Sequence, residues 1–324
     1  MISSTTDVIG TISEASRLRE EFVSGLRRYP KMVPCKFFYD KRGSLLFDQI
    51  CGLEEYYITR AEAGILTENI DEIVALCGPE CLLVEFGSGN SSKTRLLLNH
   101  LRRPVAYVPI DISRPHLLNA AAVLELDYFP LEILPVCADY NQPLTIPSPS
   151  NRPLRTTFFF PGSTIGNFTP SEAKQFLERI GSLCQPGDGL LIGIDLVKDK
   201  RILEAAYDDA SGVTAAFNLN ILRRANREMA ADFQLSRFQH RAIFNEEESR
   251  IEMHLVSTLD QKVQIGNDLI EFMEGESIIT EFSYKYRIEA FHDLAAAAGW
   301  KNIEIWTDRK RWFSVQYLSY HAST

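Results

Sequence analysis

The string Val84-Glu85-Phe86-Gly87-Ser88-Gly89-Asn90-Ser91-Ser92-Lys93-Thr94 reads as a strand that runs through glycines into a helix. Glycines carry no Cβ, so the backbone can approach a ligand closely. The helix that follows, with Ser91 or Ser92 as its cap, offers unpaired N–H groups. Acids stand at the ends of successive strands: Glu85 before the glycines, Asp111 after the next strand, and Asp139 in Cys137-Ala138-Asp139-Tyr140. From a strand's carboxyl end Asp111 can bridge two ribose hydroxyls. From its own strand end Asp139 can meet an adenine amino group beside the ring of Tyr140. Taken singly, Gly-x-Gly is turn chemistry and Asp111 a helix cap; together they describe a nucleoside site.

A dinucleotide fingerprint wants a third glycine where Ser92 stands, and a phosphate-binding loop wants Gly-Lys followed by Ser or Thr. Neither pattern is met. The cofactor with ribose and adenine but no phosphate is S-adenosylmethionine, whose sulfonium favours acidic and aromatic surroundings.

The elements that must position these residues alternate as in a parallel sheet wrapped by helices. Short apolar runs at 82–86, 106–110, 131–137, 156–160 and 190–194 read as strands. Thr169-Pro170-Ser171-Glu172 is a capping box opening a helix to about Leu183, whose Ala173, Leu177 and Ile180 share one face. After Asp195 the pattern changes to a long helical stretch over 202–231, then to strands at 240–245 and 250–256. In the second of these Ile251, Met253 and Leu255 share a face. A helix over 289–298 and strands at 302–306 and 312–318 close the chain. The fold class is α/β: a doubly wound, mostly parallel sheet with a terminal antiparallel hairpin, plus a smaller α+β domain inserted into it.

Composition narrows the partners. The chain has 324 residues and a formal charge of -9, which disfavours nucleic acid. Arg309, Lys310 and Arg311 form its densest basic cluster and read as a hairpin turn. No apolar run is long enough to span a bilayer and no signal sequence is evident, so no membrane partner and a cytoplasmic location are expected. The scattered cysteines, with Cys77 and Cys81 enclosing Gly-Pro-Glu, read as reduced thiols rather than metal ligands.

At these residues, and at Lys36-Phe37-Phe38-Tyr39-Asp40, Phe47-Asp48-Gln49-Ile50, Glu55-Tyr56-Tyr57-Ile58-Thr59-Arg60-Ala61-Glu62, Gly162-Ser163-Thr164-Ile165-Gly166-Asn167, Asp195-Leu196-Val197-Lys198-Asp199 and Ala206-Tyr207-Asp208-Asp209, the sequence resembles the histidine Nα-specific methyltransferases. Those enzymes make trimethylhistidine (hercynine) on the way to ergothioneine. Gly212 to Asn218 and Arg250-Ile251-Glu252-Met253 extend the match, which runs from about Pro30 to the carboxyl terminus.

The resemblance implies a Rossmann-like class I methyltransferase core at 61–195 and 286–324, a discontinuous substrate domain at 1–60 and 196–285, and a monomer. It also implies that Gly87, Lys93, Asp111, Asp139 and Tyr140 hold the cofactor, Tyr140 standing where relatives often have phenylalanine. It places Tyr56, Asn167 and Tyr207 on the carboxylate and amino group of L-histidine, with Tyr39 near the ring and Asn167 close to the methyl group. Glu281 and Ser283 would read the imidazole over a floor provided by Met253. The chemistry so implied is repeated displacement of a sulfonium methyl by a neutral amine, driven chiefly by alignment, with the proton lost to water. An indole amino acid as substrate, a nicotinamide oxidoreductase and a non-enzymatic cofactor sensor are the alternatives; Glu281 argues against an indole, which offers one donor.

Overall fold

The computed structural model describes residues 14–89 and 91–321. Its strands in chain order are β1 (Lys31–Met32), β2 (Cys81–Phe86), β3 (Ala106–Asp111), β4 (Glu132–Ile133), β5 (Val136–Cys137), β6 (Arg155–Phe160), β7 (Gly189–Asp195), β8 (Phe238–Asn245), β9 (Arg250–Ser257), β10 (Gln261–Ile265), β11 (Asp268–Phe272), β12 (Ser277–Tyr284), β13 (Trp300–Thr307) and β14 (Phe313–Tyr320).

The large sheet runs β13-β14-β7-β6-β2-β3-β4, and β5 also pairs with β3. Strands β2 to β7 are parallel, whereas β14 is antiparallel to both β7 and β13. Every residue of β2 and β7 is buried, as expected of parallel strands covered on both faces. The chain moves outward from β2 to β3 and β4, then returns to β6 on the other side of β2. The crevice at the carboxyl ends of β2 and β6 is therefore the topological switch point at which such sheets bind ligands.

The terminal hairpin closes onto β7 as the sequence implies, and the basic cluster forms its turn, with Asp308 accepting the N–H groups of Lys310, Trp312 and Phe313. The helix Pro170–Leu183 carries the complete capping box and buries Ala173, Phe176, Leu177 and Ile180.

Two elements depart from expectation. The strand expected at 131–137 is split into β4 and β5 around Pro135, which has no N–H to give to β3. The long helical stretch divides into Lys200–Tyr207 and Val213–Glu228. Asp209 causes the break: its carboxylate accepts from Val213 N (3.0 Å), Thr214 N (2.7 Å) and the Ser211 hydroxyl (2.6 Å), so it restarts the helix behind Gly212, whose φ is +75°.

The second sheet is β1-β12-β9-β8, with a separate hairpin of β10 and β11 that the sequence pattern did not reveal. It joins the large sheet where Tyr286 N donates to Asp195 O (3.0 Å) and Val197 N donates to Tyr286 O (3.1 Å). The carboxyl end of β12 thus lies beside that of β7. The helix Tyr57–Glu68 runs across the expected domain boundary at 60/61. Already in its first turn Tyr57 hydrogen-bonds Asp195 of β7 and packs edge-on against Trp312, which ties the whole helix to the large sheet. Among the described residues no helix is long and apolar enough to cross a membrane, and all six cysteines are free.

Candidate functional site

One cavity of about 1360 Å³, its open mouth included, lies over the carboxyl ends of the parallel strands and extends to β12 and β9. It has two chemically distinct ends.

At one end Gly87 and Gly89 turn the chain with φ of +69° and +50°, and both line the cavity. Gly89 N donates to Asp111 Oδ2 (3.1 Å), while Asp111 Oδ1 accepts from Ser113 N (2.8 Å). Asp111 therefore braces the glycine turn and the start of the next helix while facing the cavity. Asp139 accepts from Asn141 N (2.9 Å) and lies 3.7 Å from the Lys36 ammonium. The half-buried Tyr140 ring, packed against Phe86, Phe160, Phe168 and Phe176, has its edge 4.0 Å from where a Cβ on Gly87 would stand.

The Lys93 ammonium pairs with Glu62 and lies 3.5 Å from where a Cβ on the cavity-lining Gly162 would stand. Glu62 is fully buried over Gly193 and accepts from Gly162 N (3.0 and 2.9 Å). Glu85 faces away; Thr94 and Tyr107 donate to it, and burial pushes its carboxyl up to about 8. Ser91 occupies the cap position in a left-handed conformation without a capping bond, so the helix Ser92–Leu98 leaves its first N–H groups to other partners.

The other end is built from six separate segments. Tyr39 leads into the helix Lys41–Cys51, which Asp40 caps by accepting from Gly43 N (2.7 Å) while Asn220 Nδ2 donates to it (2.8 Å). Tyr56 and Tyr57 diverge: Tyr56 lines the cavity and Tyr57 turns toward Asp195. Asn167 closes a single helical turn that approaches β12 tightly. A Cβ on Gly166 would sit 2.7 Å from the Tyr284 carbonyl oxygen, so only glycine permits this approach. Tyr207, Thr214 and Phe217 come from either side of the helix break. From β12 come Glu281 and Ser283, just after a register irregularity between Ile279 and Glu281, and Met253 of β9 pairs directly opposite Glu281.

Burial raises the Glu281 carboxyl to about 7, with Lys285 opposing the shift. Burial, with Glu281 adding to it, also lifts the Tyr39 phenol well above its ordinary range. Tyr39, Phe47, Tyr56 and Phe217 stand with ring centroids 5.8–6.2 Å apart around one part of the cavity. Such a box of aromatic faces suits a cationic centre. Phe47 and Phe217 lay within family-like motifs but had no polar atom to single them out, and Cys35 and Thr214 likewise carried no spacing signal.

Behind Ser283 lies a buried network that the sequence reading also missed. Lys285 donates to Asp195 Oδ2 (2.7 Å), Ser283 Oγ (2.8 Å) and Tyr207 Oη (2.9 Å). Asp195 also accepts from Lys198 (2.6 Å) and Tyr57 (2.7 Å). Burial works against the Asp195 charge, but the two ammonium groups outweigh it and hold the carboxyl low. Alternation along β12 and the short spacing of Asp195 and Lys198 were the available signals.

Residues 18–320 match the family model of the histidine-specific, S-adenosylmethionine-dependent methyltransferases. The chain belongs to this family. The histidine N-alpha-methyltransferase of Mycobacterium tuberculosis is 47% identical over 90% of this chain and 91% of its own length, and that of Mycolicibacterium smegmatis 44% over 95% and 96%. Ergothioneine biosynthesis protein 1 of Neurospora crassa is 32% identical over 86% of this chain, which spans 32% of that longer protein. Family membership accounts for the cofactor end: two positive-φ glycines, two cavity-facing acids and a packed ring, with no phosphate cradle, suit S-adenosylmethionine.

Proposed function

We propose that the protein transfers three methyl groups from S-adenosylmethionine to the α-amino nitrogen of L-histidine, giving trimethylhistidine, the first step of ergothioneine biosynthesis. The observation that carries this reading is the pair Glu281 and Ser283, side by side in a cavity whose other end suits the cofactor. An imidazole has two nitrogens, and a carboxyl and a hydroxyl can satisfy both. A side chain without them would leave the buried carboxyl of Glu281 unpartnered, a penalty of about 1–3 kcal/mol.

The cofactor supplies an electrophilic methyl group, and Gly87, Gly89, Asp111, Asp139 and Tyr140 would hold it. The names of the mycobacterial relatives support histidine as the acceptor. Asn167, Tyr56 and Tyr207 face the space between the two ends, where an amide and two phenols can orient an amino acid's carboxylate and amino group. The phenol of half-buried Tyr39 stays neutral, so beside the ring it can donate a hydrogen bond but is no base, and the proton leaves to water. The box of Tyr39, Phe47, Tyr56 and Phe217 can stabilise the quaternary ammonium of the product. Holding the amine in line is the main catalytic device of this site. The family resemblance supports a monomer, and six free thiols support a reducing, cytoplasmic location.

Purified protein incubated with S-adenosylmethionine and either histidine or tryptophan, with products read by mass spectrometry, tests the reading. Trimethylhistidine is expected. Methylated tryptophan with histidine untouched would overturn the substrate, and cofactor binding without product from either would point to a sensor.

A further inference from the structure

We propose that Lys285 is a positioning residue: it joins the hydroxyls of Tyr207 and Ser283 into one polar unit and makes the amino-acid end of the cavity select a carboxylate-bearing substrate. This rests on the histidine reading above.

The Lys285 side chain is fully buried and its ammonium has three N–H bonds, for which there are three acceptors: Asp195 Oδ2, Ser283 Oγ and Tyr207 Oη at 2.7, 2.8 and 2.9 Å. Tyr207 Oη and Ser283 Oγ are themselves 2.8 Å apart, so one of these hydroxyls donates to the other. Of their two hydrogens one is consumed inside the unit, and a single hydrogen remains for the cavity. The two residues thus act as one donor: with Tyr207 donating to Ser283, the remaining hydrogen is that of Ser283 and serves the imidazole, while Tyr207 keeps a lone pair toward the amino group and the ammonium behind them sets the direction of both.

Charge gives the unit its preference. Asp195 is shared between Lys285 and Lys198, so two buried ammonium groups face one carboxylate, and Tyr57 donates to that same carboxylate rather than adding charge. Glu281 also lies near Lys285, on β12, which ends one residue before the lysine, and stands at the ring-reading position. Lys285 shares its one carboxylate partner with Lys198, near which Asp308 also lies, so the Lys285 charge is only partly offset by Asp195 and favours an approaching anion. Tyr207, Tyr56 and Asn167 line the cavity on its side, where an amino acid's carboxylate provides the anion.

A lysine that merely ties β12 to β7 would make the same bond to Asp195, so the tests read selectivity rather than fold. Histidine and histamine share a ring and an amine and differ in the carboxylate. Their dissociation constants are measured by calorimetry on the protein loaded with S-adenosylhomocysteine. Wild type is expected to favour histidine by about 100-fold or more, and Lys285→Met to reduce that preference at least about tenfold while cofactor-product affinity stays within about twofold. An unchanged preference in the folded variant overturns the proposal. Should Lys285→Met fail to fold, a second experiment decides: Tyr207→Phe, Ser283→Ala and the double variant are compared for histidine affinity. One unit predicts that the double variant loses about as much as the worse single one; losses that multiply overturn the proposal. Failure of wild type to bind histidine at all would overturn the substrate reading, and this proposal with it.

Discussion

The two ends of the cavity are made in different ways. The cofactor end is backbone geometry at the termini of parallel strands: Gly87 and Gly89 turn the chain, Asp111 braces the turn, and Tyr140 is packed among phenylalanines. The amino-acid end is side-chain chemistry assembled from six segments, with buried charges behind it. The first kind of site tolerates change in side chains as long as the turns hold. The second depends on each partner, because a buried polar group without its partner costs about 1–3 kcal/mol.

The braces under the turns offer the sharpest way to break that contrast. Glu62 is buried, holds Gly162 N and pairs with Lys93, so Glu62→Ala strands a cation and an N–H and should cost about 3–5 kcal/mol of stability in urea unfolding. A loss below about 1 kcal/mol would mean that the turn holds itself. Asp111→Ala should have the next largest effect, weakening S-adenosylmethionine binding by about 10–100-fold in calorimetry, since it removes both the Gly89 brace and a cavity-facing acceptor. Histidine affinity, measured with cofactor product saturating, should change far less; an equal loss would erase the distinction between the ends.

A smaller effect separates the ends by pH. Glu281 has its carboxyl raised from 4.5 to about 7, so across that window the folded protein retains a proton that the unfolded chain has lost. Its contribution to stability therefore falls as pH rises from about 4.5 to 7 and is lowest above 7. Glu281→Gln removes the titration, and the melting temperature of the variant relative to wild type should climb between pH 5 and 8. A flat difference would show that the carboxyl titrates normally.

What was legible in the sequence follows the same division. The parallel strands, the capped helix Pro170–Leu183 and the glycine turn are local patterns, and each can be read from a dozen neighbouring residues. Pro135 and Asp209 also announce breaks, but a proline in an apolar run and an aspartate in a helical one are easily absorbed into the longer pattern. The amino-acid end has no local signature. Glu281 and Ser283 were placed by family register, and nothing in sequence spacing alone brings Tyr39, Asn167, Tyr207 and Ser283 to one cavity. Lys93 lies beside the glycine turn in sequence, and only the structure shows its ammonium paired with Glu62 next to Gly162. Lys285 carries no signal of its own, because a lysine just after a strand reads as solvent-facing until Asp195, far away in the chain, is seen beside it.

The central claim is that Glu281 reads the substrate ring while the cofactor end stands on its own. Its most direct test is calorimetry on Glu281→Ala with two ligands, S-adenosylhomocysteine and then histidine. The account predicts an unchanged affinity for the first and about a 30–100-fold loss for the second, roughly 2–3 kcal/mol. Histidine affinity that survives the substitution, or a parallel loss of both ligands, would contradict it.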